Sequence, residues 1–121
     1  MIRFLARDLI LTGKVTAQAR ARNREIAVYS ALEPLLTDIR DSGESGESGD
    51  TVLVDLQLPG LDPGELVTAI RGKPGAIRVV AYAQHLRTDL LEAARTAGVD
   101  QVLTRGQFDR QIAELVSGTT D

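Results

Sequence analysis

Five short apolar runs with strand propensity alternate along this chain with five segments of helical period, and no other feature constrains its fold as much. The strand-like runs are Ile2 to Ala6, Glu25 to Tyr29, Thr51 to Val54, Arg78 to Tyr82 and Gln101 to Thr104. Leu11, Val15 and Ala19 share one face of a first helix, a second covers about Leu32 to Arg40, and Phe108, Ile112, Leu115 and Val116 line the last. The third helix has the clearest start. Asp62 is its N-cap, Pro63 its first residue, Glu65 closes a capping box, and Leu61 with Leu66 forms a hydrophobic staple. The fourth helix runs from about Thr88 to Ala97 and stops at Gly98. Such alternation predicts an α/β fold: a parallel sheet with helices on both faces.

In an open sheet of this kind, ligands and chemistry gather outside the carboxyl ends of the strands. The run from Thr51 to Val54 ends at Asp55, and a Leu-Pro-Gly turn then leads into the third helix. Asp55 is therefore the first candidate for a functional residue.

Composition narrows the remaining choices. A chain of 121 residues with 43% hydrophobic residues predicts one domain spanning 1–121. A net charge of −3 argues against a nucleic-acid surface. The early arginines Arg3, Arg7, Arg20, Arg22 and Arg24 read mostly as solvated, because Arg20 and Arg22 do not share a helix face. Without cysteine there is no disulfide and no thiolate metal site. Arg7 and Asp8 interrupt the first apolar run, which is too short for a signal peptide or a membrane helix, so no membrane attachment and a cytoplasmic location are expected. Asp41 to Asp50 carries a tandem Gly-Glu-Ser repeat and no apolar residue, and reads as a mobile acidic spacer. Cation capture or phosphorylation at Ser45 or Ser48 is the lesser reading of that stretch. Residues 117–121 read as a tail or the start of a linker. His85 reads as a solvated loop histidine, and Tyr82 as core, although an exposed tyrosine there would point to an interface.

Three stretches resemble the receiver domain of bacterial response regulators: VLVDLQLPGLD around Asp55, RVVAYAQH followed by LLEAARTAGVDQVLTRG, and Asp8 after the first strand. The resemblance covers nearly the whole chain. It implies a flavodoxin-like (βα)5 sandwich with sheet order 2-1-3-4-5 and a role in two-component signal transduction. It also implies that Asp55 matches the phosphoacceptor, supported in the family by an acidic pair holding Mg2+, a hydroxyl after strand four and a lysine after strand five. Here Arg7 replaces one acid and leaves Asp8, Ala83 stands at the hydroxyl position, and Arg105 replaces the lysine. Gly106 stands where proline is usual, and Val102 where a switching aromatic is usual.

Taken together, Asp8 and Asp55 facing Arg7 and Arg105 give a site of zero net charge. Adding Mg2+ would leave +2, and like charges 4 Å apart repel by about 4 kcal/mol at an effective dielectric near 20. The expectation is a pseudo-receiver without enzymatic activity or a metal, in which Arg105 clamps Asp55 through a bidentate pair. If a metal binds at all, Asp8 and Asp55 would hold it; otherwise Asp8 pairs with Arg7 or Arg105, or caps the first helix. The resemblance implies a protein partner, or a second copy of the chain, on the helix 4, strand 5, helix 5 face from Thr88 to Val116. Two alternatives stay open: a working phosphoacceptor with a weakened Mg2+ site, and a small-anion sensor built on Arg7 and Arg105.

Overall fold

The elements follow in strict alternation: β1 (Ile2–Leu5), α1 (Leu9–Ala21), β2 (Ile26–Tyr29), α2 (Leu32–Ser42), β3 (Asp50–Asp55), α3 (Pro63–Arg71), β4 (Ile77–Ala83), α4 (Thr88–Ala97), β5 (Gln101–Thr104) and α5 (Arg105–Ser117). The structure, a computed structural model, describes residues 1–42, 50–73 and 77–117, without the side chains of 40–42. The expected spacer is shorter than 41–50, because α2 continues to Ser42 and β3 already begins at Asp50. Ser45 and Ser48 and the tail residues 118–121 lie outside the described residues.

All strand pairings are parallel, in the order β2-β1-β3-β4-β5. Side chains on a strand alternate between the faces of its sheet, so the sequence parity sorts them into two layers. On one face Val52, Val54, Val79, Ala81 and Ala83 pack with apolar residues of α2, α3 and α4. On the other, Phe4, Leu53, Val80 and Tyr82 pack with the predicted apolar faces of α1 and α5.

Arg3 corrects the expectation of solvated arginines. It lies on β1, an interior strand covered on both faces, and is only 2% exposed. A charge in that position needs a partner. Asp38 of α2 supplies it, accepting from Arg3 Nε at 2.8 Å and from the Tyr29 hydroxyl at 2.5 Å. Burial first, then Asp38, pushes the Tyr29 phenol up to about 12.

The helix ends follow the sequence signals with one exception. Asp62 accepts from Gly64 N–H at 3.0 Å, capping α3 as expected. Among the described residues Glu65 does not return the bond to complete the box; it lines a surface groove with Arg7 instead. Gly98 ends α4 at φ 95°, a left-handed conformation that an L side chain resists. Gly98→Ala is expected to destabilise the fold by about 1 kcal/mol in urea titration, with an unchanged m-value.

Candidate functional site

Asp55 ends β3, and its own turn fixes its carboxylate. Oδ1 accepts Gln57 N–H at 2.9 Å, an Asx turn that the residue two positions on makes available. Gln57 Oε1 then accepts Gln84 N–H at 2.8 Å, which joins the β3–α3 loop to the end of β4. Burial raises the Asp55 carboxyl above its ordinary range, opposed by the Gln57 N–H and the charge of Arg105 and reinforced by the charge of Asp8.

Asp8 caps α1: its Oδ1 accepts from Ile10 N–H at 2.9 Å and Leu11 N–H at 3.2 Å. Its Oδ2 accepts from the Arg105 guanidinium. That bond is the main reason the Asp8 carboxyl is lowered, and with the two capping N–H groups it outweighs burial.

Arg105 is the first residue of α5, which follows β5 without a loop. A reciprocal capping box sets this junction. Thr104 N–H donates to Gln107 Oε1 at 2.9 Å, and Gln107 N–H donates to Thr104 Oγ1 at 3.2 Å. A cation in the first turn of a helix opposes the helix dipole. Asp8 offsets that conflict.

Two expectations are therefore corrected. Arg105 pairs with Asp8, not with Asp55, because Asp8 at the start of α1 presents its free oxygen to the first turn of α5. Arg7 does not neutralise the crevice. It is exposed, and its Nε donates to the Ser30 carbonyl at 3.3 Å, on the side of the loop preceding α2. Two carboxylates and one guanidinium remain, a net charge of −1. Arg7 and Arg105 also line different grooves, which removes the geometric basis for a shared anion site. The Arg105 groove, about 420 Å³, includes Gln84, His85, Leu86, Thr104 and Arg110.

Ala83 is fully buried and offers only a methyl group beside Thr104. His85 is exposed, and Tyr82 is core at 1% exposure, so it makes no surface patch. Sequence reasoning missed Gln57 and the Thr104–Gln107 box, although the Thr-Arg-Gly-Gln spacing carried the second signal.

A hard divalent ion needs several free oxygens. Asp8 already accepts three bonds, and Asp55 accepts one. Among the described residues no group of three or more His, Asp or Glu is placed to hold a metal. As placed, Arg105 competes with Mg2+ for the second oxygen of Asp8.

Opposite pH dependences follow for the two acids. The lowered Asp8 contributes stability that is full above about pH 4 and lost as pH falls through its folded value. Asp8→Ala should destabilise by about 1 kcal/mol at pH 7, mostly through the lost cap, and less in acid. The raised Asp55 is the reverse: its ionised form costs stability at neutral pH. Asp55→Asn is expected to raise the melting temperature at pH 7, with a gain that shrinks as pH falls towards 4; thermal melts across that range check both signs.

No protein-family model matches the chain. It is 30% identical over 95 residues to the sensor histidine kinase GacS of Pseudomonas protegens, a match covering 73% of this chain and 9% of that protein. The chain thus spans less than a tenth of that relative's length. A response regulator receiver protein from Burkholderia phymatum superposes with a TM-score of 0.69 at 21% identity, over 95% of this chain and 93% of that one. The receiver domain of the sensor histidine kinase PA1611 from Pseudomonas aeruginosa PAO1, solved with a magnesium ion coordinated in its active-site cleft, superposes with a TM-score of 0.64 at 15% identity, over 95% of each chain. Sheet order, the strand-end aspartate and these structural neighbours give this chain the fold of the response-regulator receiver domain.

Proposed function

We propose that this chain is a receiver domain of two-component signalling that works as a pseudo-receiver, binding a partner protein without phosphorylation of Asp55. The observation carrying this reading is the Arg105–Asp8 bridge. Metal-assisted phosphoryl transfer needs a cation to neutralise charge as it moves to the acceptor. In this crevice a guanidinium engages the acid that would share that cation, and Ala83 supplies no hydroxyl to bond a transferred phosphoryl group.

An interaction role rests on the α4, β5, α5 face from Thr88 to Val116 and on the pole beside it. Leu86 is 78% exposed at the mouth of the Arg105 groove. Leu9 and Ile10, immediately after Asp8, are 85% and 69% exposed. Isolated exposed apolar residues are ordinary, but three at one pole with arginines between them suit a protein surface of mixed apolar and acidic character. A second copy of the chain is one candidate partner. The domain acts by binding rather than by turnover, and needs no cofactor.

Incubation with Mg2+ and a small phosphodonor, followed by mass spectrometry of the intact protein, is expected to leave the mass unchanged. A stable gain of one phosphoryl group that disappears in Asp55→Asn would contradict the reading in favour of a working phosphoacceptor.

A further inference from the structure

Among the described residues, the Tyr82 hydroxyl is the buried side-chain polar atom that lacks a hydrogen-bond partner. An orphaned donor of this kind carries its full desolvation cost, and buried polar groups are normally satisfied by protein or by water. The register of the sheet says what stands beside it. Tyr82 is the Cα partner of Asp55 across β3 and β4, and strand alternation puts both side chains on the face covered by α1 and α5. Asp55 binds Gln57 N–H through Oδ1, and its second oxygen has no bonded partner among the described residues. The Tyr82 phenol is raised by burial first and then by the charge of Asp55, so the hydroxyl lies within the field of that carboxylate.

The ring of Tyr82 makes a second connection. It stacks on Phe108 of α5 with centroids 4.2 Å apart at 27°, and Phe4 of β1 lies 6.3 Å away. The chain has two tyrosines and two phenylalanines, and three of these four aromatics meet beneath Asp55. Phe108 is one turn from Arg105, which holds Asp8.

We propose that Tyr82 is a positioning residue: its hydroxyl donates to the Asp55 carboxylate through one water, while its ring carries Phe108. The occupancy of the Asp55 crevice is thereby tied to the first turn of α5. This coupling stands whether or not Asp55 ever accepts a phosphoryl group.

A double-mutant cycle of Tyr82→Phe and Asp55→Ala, read by urea unfolding, tests it. Phenylalanine keeps the ring stack and removes only the hydroxyl. Tyr82→Phe is expected to shift the unfolding equilibrium roughly fivefold towards the unfolded state when Asp55 is present, and less than twofold in the Asp55→Ala background. Equal effects in the two backgrounds, or stabilisation by Tyr82→Phe with Asp55 present, would overturn the proposal. Carbon-13 labelling of tyrosine Cζ gives a second readout that does not rely on the alanine variant folding. With Tyr29→Phe used to assign the two resonances, Asp55→Asn should move the Tyr82 signal and leave that of Tyr29 in place. A stationary Tyr82 signal would also overturn it.

Discussion

The ion pair between Asp8 and Arg105 is the contact on which the functional pole depends. It joins the N-terminus of α1 to the N-terminus of α5, the two helices that cover one face of the sheet. Each end is also set locally, α1 by Asp8 itself and α5 by the Thr104–Gln107 box. The pair is partly exposed, with side-chain accessibilities of 21% for Asp8 and 40% for Arg105, so its contribution to global stability is modest. Its importance is positional. One oxygen of Asp8 satisfies the cap while the other holds a permanent cation over the crevice, and an arginine cannot lose its charge to make room for a metal.

Asp55 occupies a different environment at the end of β3. It is partly buried, made harder to ionise by that burial, and fixed by Gln57 rather than by a cation. The two acids are thus pushed apart: Asp8 is the more readily ionised and already neutralised, Asp55 the less readily ionised and bearing the uncompensated charge. Such divergence is often a mark of a functional site. Here the charge of Asp8 is met within the protein by Arg105, and that of Asp55 is not.

Much of the fold was legible in the sequence because the apolar periods are short, clean and separated by good stop signals. The core faces of α1 and α5 and the span of α4 are where the spacing put them. The site was legible residue by residue but not in its pairings. Position in the chain places Asp8, Asp55 and Arg105 at one pole; it does not say which oxygen meets which nitrogen, and the cap on α1 decided that in favour of Asp8. Arg7 was misplaced for a similar reason, since one step along an extended chain reverses the side-chain direction. The burial of Arg3 is not legible in the sequence because its partner, Asp38, sits 35 residues away on a helix whose orientation the sequence does not supply. The position of Tyr82 in an apolar run marks it as core, and only the register against β3 brings it beside Asp55.

In the proposed pseudo-receiver reading, Arg105 stands on Asp8 where a metal would otherwise bind. A Mg2+ titration followed by amide NMR at Asp8, Asp55 and Arg105, run on the wild type and on Arg105→Ala, addresses it most directly. No saturable shift is expected in the wild type at millimolar Mg2+, and saturable shifts at Asp8 and Asp55 are expected once the guanidinium is removed. Saturable binding by the wild type at submillimolar Mg2+, centred on Asp8 and Asp55, would contradict it.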